Sequence, residues 1–228
     1  EGLEDSPTEE VITDLKKRFG HVDIKYLKLD ILPAIKQSQK TVDNLVKELE
    51  NDNPNVGYDG ELITRTICSI LNEGSVRTNY ATIDTTNGTE FILGEFTTGL
   101  GYDVALLSDL YKSTVYLLGE ILGVPRSVIE RDPRNSAFNH TTKMRLYFGE
   151  LPRGVTPQQA YEMLDVVLYW LYERKKKPEE IAEKLGHDSE FVRNVKRRIK
   201  NQKPRQKPPI FCGQTYSKRF PNRTKISD

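Results

Sequence analysis

Cysteine is scarce in this chain. Cys68 and Cys212 are the two among 228 residues, and they form no Cys-x-x-Cys pair. A disulfide framework is therefore excluded, and a reducing, cytoplasmic setting fits the usage. Histidine is scarce too. His21, His140 and His187 each stand alone, so no imidazole metal cluster is expected. No apolar run approaches the ~20 residues of a membrane-spanning helix. The opening Glu1-Gly2-Leu3-Glu4-Asp5 has the form of neither a signal nor a transit peptide. No Gly-Gly pair occurs anywhere. Excess charge of one sign is also missing: the net charge is +1, which argues against a chain devoted to binding polyanions.

What is present is the material of a globular α/β domain. Hydrophobic residues make up 36% and charged residues 29%, and the length allows one large core. Pro7 and Glu9, with Ser6 as N-cap, open a helix whose apolar positions Val11, Ile12, Leu15 and Phe19 match helical spacing. Residues Asp23 to Leu29 alternate polar and apolar, predicting a strand. A helix is expected over 34–49, a loop over 51–60, and a helix over 61–71 closed by the turn Asn72-Glu73-Gly74. Asn79 to Ile83 reads as a buried strand, succeeded by the polar cluster Asp84 to Glu90. Phe91 to Gly101 is partly irregular. A strong helix spans Ser108 to Leu122, a short one starts at Pro125, and further helices are predicted over 156–170, 178–185 and 189–200. Strands alternating with helices imply a parallel sheet flanked by helices, with a helical C-terminal part. Two strands are too few for such a sheet, so others are hidden or absent.

In open α/β sheets ligands sit beyond the carboxyl ends of the strands. Thr85, Asn87 and Glu90 occupy that place after the second strand. A carboxylate is a hard oxygen ligand suited to Mg²⁺, and hydroxyls and backbone amides can hold phosphate oxygens. Lys112, in the first turn of the next long helix, adds a point charge suited to a polyphosphate. The plain alternative is a polar strand-to-loop turn and a surface lysine.

The residue strings narrow the choice. Thr85-Thr86-Asn87-Gly88-Thr89-Glu90, continuing through Gly94-Glu95-Phe96-Thr97, resembles the Gly-Thr-x-Asn-x-x-Glu…Gly-Tyr-Phe-Thr segment of the ammonia-dependent NAD synthetase family. Asp103 to Lys112 resembles that family's Asp-x-x-Pro-Leu-x-Asp-Leu-x-Lys, and the helix ends in Leu122-Gly123-Val124-Pro125, as it does there. Thr64-Arg65 and Leu71-Asn72-Glu73-Gly74 are similar to an upstream helix and turn. Lys203-Pro204-Arg205-Gln206-Lys207-Pro208-Pro209 is similar to its C-terminal loop.

The resemblance implies an adenine nucleotide α-hydrolase-like fold. It also implies a ligase that adenylates the nicotinate carboxylate of deamido-NAD with ATP. Free ammonia then displaces AMP to give NAD. By matched position, Glu90 would bind Mg²⁺ and Lys112 the phosphates, these two being the catalytic candidates. Thr85 and Arg65 would contact ATP, Ser136 would match a phosphate loop, and Lys203 or Arg205 a mobile loop closing over ATP. The family commonly forms homodimers, here through the helices over 61–71 and 108–122.

Four departures accompany the match. The family's Ser-Gly-Gly-x-Asp-Ser loop is absent, and the opening residues resemble the part of the family that comes after its second strand. Residues 1–228 are thus expected to be one N-terminally truncated domain, with a flexible basic tail over 201–228. Phe96-Thr97-Thr98-Gly99-Leu100-Gly101 lacks the Lys and Asp of the family's Phe-Thr-Lys-x-Gly-Asp. No Asp-Glu pair stands near Thr142-Lys143. Asp84 and Leu106 replace a Gly and a Pro. The nucleotide half is therefore better preserved than the acid-substrate half, which leaves open a divergent or inactive nucleotide-binding relative.

A binding-module reading attaches to the stretch from Arg174 to Lys207, where thirteen Lys/Arg face five Asp/Glu. Its two helices have helix-turn-helix rhythm, with Arg193, Lys196, Arg197 and Lys200 along one side of the second. Glu179, Glu180 and Glu183 would repel phosphate, so nucleic acid is not the expected partner.

Overall fold

The computed structural model describes residues 7–48, 59–99, 101–131, 147–148, 154–186 and 188–202. Ser136, Arg134, Asn135, Thr142, Lys143, Lys203, Arg205 and Cys212 lie outside the described residues, as do Ser6 and the proposed tail beyond Gln202.

The first helix, α1 (Thr8–Arg18), starts at Pro7 with no side-chain cap. Glu9 and Glu10 occupy its first turn and Lys16, Lys17 and Arg18 its last, each sign complementing the helix dipole. The Arg18 guanidinium donates to the carbonyls of Leu122 and Gly123, and Ser127 Oγ lies 2.5 Å from Glu10 Oε2. These contacts hold α1 against the connection at the end of the central helix. The helices α2 (Leu32–Glu48) and α3 (Asp59–Thr78) pack on each other.

Two-residue strands β1 (Ile83–Asp84) and β2 (Val104–Ala105) pair in parallel, Ile83 opposite Val104. Between them lies α4 (Gly88–Leu93), and after them α5 (Lys112–Ile121) and α6 (Arg126–Ile129). The C-terminal part contains α7 (Pro157–Leu168), which continues as a π-helical turn over Tyr169–Glu173, then α8 (Pro178–Leu185) and α9 (Ser189–Gln202).

The core lies at this end. Leu164, Val167 and Leu168 of α7 close on Ile181 of α8, on Phe191, Val192, Val195 and Ile199 of α9, and on Leu93 of α4. Each such side chain contributes about 2 kcal/mol through burial. Phe148 and Phe191 stack at 4.1 Å between ring centroids. By contrast α1, α2, α5 and α6 bury no residue fully.

Several expectations are corrected. Asp23–Leu29 forms no strand, because among the described residues nothing pairs with it, and Leu27 and Leu29 stand exposed. The second strand falls at Ile83–Asp84 rather than over 79–83. It is not buried: Tyr80 and Ile83 are both exposed. No turn forms at Asn72-Glu73-Gly74. Helix α3 runs through it, with Arg77 paired to Glu73 at 2.6 Å and Ser75 Oγ bonded to the Asn72 carbonyl. The central helix starts at Lys112, not Ser108, and β2 is a strand that periodicity did not mark because it is two residues long.

Candidate functional site

Just past the carboxyl end of β1 the chain turns sharply. Asp84 Oδ1 accepts from both the amide and the hydroxyl of Thr86 at 2.9 Å, a side-chain turn typical of aspartate. Thr85 is exposed at the bend. Asn87 and Glu90 then form a reciprocal capping box on α4. The Asn87 side chain accepts from the Glu90 amide, and Glu90 Oε2 accepts from the Asn87 amide, both at 3.1 Å. The box fixes the direction of the Glu90 carboxylate.

The other oxygen, Glu90 Oε1, lies 3.8 Å from Lys112 Nζ, and both side chains are 22% exposed. The two catalytic candidates, 22 positions apart in sequence, therefore stand together at a half-open surface. The Lys112 ammonium also lies 5.9 Å from the centre of the Tyr161 ring, at the distance of a cation–π contact.

Beneath this pair lies a buried polar cluster. Thr89 is fully buried and Asp165 is 4% exposed. The Thr89 hydroxyl donates to Asp165 Oδ1 at 2.5 Å and accepts from the Lys112 amide at 2.8 Å. Asp165 Oδ2 accepts from the Ser113 amide at 2.8 Å. Burial pushes the Asp165 carboxyl above the usual range, while Thr89, Ser113 and the charge of Lys112 pull the other way. Close approach of α4 to this cluster depends on Gly88. Its amide donates to the Leu110 carbonyl at 2.8 Å, and a Cβ there would meet Ser108 O at 3.0 Å and Leu110 O at 3.1 Å.

The remaining candidates stand apart. Arg65, on α3, pairs with Glu61 at 2.7 Å and reaches the Thr98 carbonyl at 3.4 Å; its partners are neither Glu90 nor Lys112. On the same helix Cys68 Sγ lies 3.0 Å from Tyr102 Oη. Burial and this contact push the Tyr102 phenol up, beyond any physiological titration. Together, Arg65 and Cys68 strap the altered segment after Phe96 to α3. The sequence reading missed Thr89, Ser113, Tyr161 and Asp165. One signal was available: Asp165 is an acid inside the otherwise apolar buried face of α7, beside Tyr161, Leu164 and Leu168.

Among the described residues no three of His, Cys, Asp and Glu gather as a metal cage. Glu90 offers a single carboxylate, with one oxygen engaged in the capping box.

A family model described as NAD synthase matches residues 5–209. The chain belongs to the NAD synthase family. The chain is 31% identical over 193 residues to the NH(3)-dependent NAD(+) synthetase of Thermococcus sibiricus, a match covering 84% of this chain and 69% of that protein. The chain spans 51% of the NH(3)-dependent NAD(+) synthetase of Sulfurisphaera tokodaii and 73% of that of Methanosarcina mazei. Two solved structures share the fold. One is the NMN synthetase from Francisella tularensis (TM-score 0.60, 18% identity, 90% of this chain and 74% of that one). The other is the NH3-dependent NAD synthetase from Campylobacter jejuni (TM-score 0.58, 18% identity, 91% and 72%). The α/β fold expected from the resemblance is thus the one found, in a helix-rich form with a small parallel sheet.

Proposed function

We propose that this NAD synthase family member carries the nucleotide half of an ammonia-dependent amide ligation. In that reaction deamido-NAD, ATP and ammonia give NAD, AMP and pyrophosphate. The observation that supports it most is the Glu90–Lys112 pair at 3.8 Å beyond the carboxyl end of a parallel strand. Lys112 holds a phosphate of ATP as a point charge, and phosphate entry draws its ammonium away from Glu90. Glu90 would then hold a Mg²⁺ ion through its free carboxylate oxygen. A single carboxylate would suit Mg²⁺, a hard cation that commonly takes few protein ligands beside its substrate. Such an ion would supply charge neutralisation at the phosphates.

Thr85, exposed after β1, is taken as an ATP contact from its motif position. Arg65 serves from α3 after leaving Glu61. Ser136 and Lys203 remain proposals from motif position alone. The departure at Phe96–Gly101 leaves the acid substrate as the least supported part of the reading. Residues 1–228 are taken as one domain with a basic tail over 201–228. We place the reaction in the cytoplasm, and among the described residues no helix is long and apolar enough to cross a membrane.

The test is pyrophosphate release with ATP, Mg²⁺, deamido-NAD and ammonia. Lys112→Ala removes a charge-assisted phosphate contact of roughly 1.5–3 kcal/mol, so apparent ATP affinity should fall at least about tenfold. Glu90→Gln is the cleaner partner variant than Glu90→Ala, because glutamine can still accept the Asn87 amide and keep the capping box. Turnover should be lost in both. Removing Arg197 and Lys200, exposed on α9, should leave it intact. Salt-sensitive duplex binding without turnover would instead favour the nucleic-acid module.

A further inference from the structure

The helix that carries Lys112 has an unusual start. Its N-cap, Tyr111, makes no side-chain capping bond, so the first-turn amides must find acceptors elsewhere or face water. They find them on two other elements. The Lys112 amide donates to the Thr89 hydroxyl of α4, and the Ser113 amide donates to Asp165 of α7, both at 2.8 Å. The Thr89 proton is committed to Asp165 at 2.5 Å, so the hydroxyl has one orientation and its lone pair faces Lys112. Thr89 is fully buried and Asp165 nearly so, and water has no ready way to replace either.

We infer that Thr89 and Asp165 are positioning residues of the nucleotide site: a clasp across three helices that sets the Lys112 ammonium beside Glu90. The inference rests on the reading of Lys112 as a phosphate-holding group. Thr89 is the sequence neighbour of Glu90, and Lys112 is the residue whose amide it holds. One hydroxyl therefore fixes the backbone under both members of the functional pair. A cap serving helix stability alone needs no charge, and burying a carboxylate is costly. Here the charge does something further. Asp165 and Glu90 both face Lys112: Glu90 Oε1 lies 3.8 Å from its ammonium, and the Lys112 charge acts on the Asp165 carboxyl. The Lys112 and Ser113 amides are also spent on the clasp. Neither of these two is left for phosphate, which puts more weight on the Lys112 side chain.

The experiment compares Mg·ATP binding by calorimetry, and the KM values for ATP and deamido-NAD, in wild type, Lys112→Ala, Thr89→Ser, Thr89→Val and Asp165→Asn. Thr89→Ser restores the hydroxyl and should bind within about twofold of wild type. Thr89→Val and Asp165→Asn should weaken ATP about tenfold, with KM for ATP rising and KM for deamido-NAD unchanged, the mark of a displaced contact rather than general loosening. Should Lys112→Ala weaken ATP while folded Thr89→Val and Asp165→Asn bind it normally, the clasp is only structural and the inference falls. A wild-type affinity in Lys112→Ala would instead overturn the underlying reading of that lysine. Amide hydrogen exchange on the wild type guards against variants that do not fold. The Lys112 and Ser113 amides should be protected without nucleotide, unlike ordinary first-turn amides, and free exchange there would overturn the clasp.

Discussion

Glycine decides two close approaches at the residue scale. Gly88 lets α4 meet the turn before α5, and any Cβ there presses on two backbone carbonyls that cannot swing aside. Gly88→Ala should lower stability by about 1–3 kcal/mol, read by urea unfolding, and should weaken ATP because it parts Glu90 from Lys112. Gly94 ends α4 in the left-handed region at φ 67°, and a Cβ there would run into the Gln202 side chain. Gly94→Ala therefore adds strain to a clash and should destabilise by at least about 1 kcal/mol in the same assay.

Asp103 gives a pH signature. Its carboxyl is held below the ordinary 3.8, first by the Thr82 amide and then by the Thr82 hydroxyl. A depressed carboxyl contributes stability that is complete above the ordinary value and disappears as pH falls through the lowered one. The advantage of wild type over Asp103→Ala should thus hold near neutrality and shrink below pH about 4, in unfolding curves measured at matched ionic strength. An advantage that grew on acidification would contradict the assignment.

Elements differed in how plainly the sequence announced them. The helices over 156–170, 178–185 and 189–200 were legible because their apolar spacing is also their packing. Val192, Val195 and Ile199 of α9 are all buried, and Arg193, Lys196, Arg197 and Lys200 are exposed, as the periodicity requires. Val195→Ala should accordingly cost roughly 2–3 kcal/mol by calorimetric or chemical unfolding. The strands were less legible. Asp23–Leu29 has the alternation of a strand but no partner among the described residues, and alternation without a partner does not make a sheet. Asn72-Glu73-Gly74 has the composition of a helix stop, yet side-chain bonds on either side carry α3 through it. The pairing of Glu90 with Lys112 was readable from motif and helix position. The Thr89–Asp165 bond was not, because it joins residues 76 positions apart on elements whose packing no local pattern records.

At the scale of the whole molecule, the core is concentrated in α4, α7, α8 and α9, and apolar side chains elsewhere are left open. Leu71 and Val76 of α3 and Leu117 and Ile121 of α5, with Leu122 next to it, are exposed. These are the helices proposed for a homodimer, and we propose that a second copy covers side chains on them. Ile121→Glu, placed where no core contact is disturbed, should shift the protein towards monomer in light scattering without changing ATP affinity. The functional pair sits where the closed core meets this open half. Both side chains of the pair are 22% exposed.

The most direct measurement is a calorimetric titration of ATP with and without Mg²⁺ into wild type and Glu90→Gln. Magnesium should strengthen ATP binding in the wild type, and that gain should vanish in Glu90→Gln while metal-free ATP binds both proteins alike. An undiminished magnesium effect in the variant would show that Glu90 does not hold the ion, and the proposed nucleotide site would be wrong.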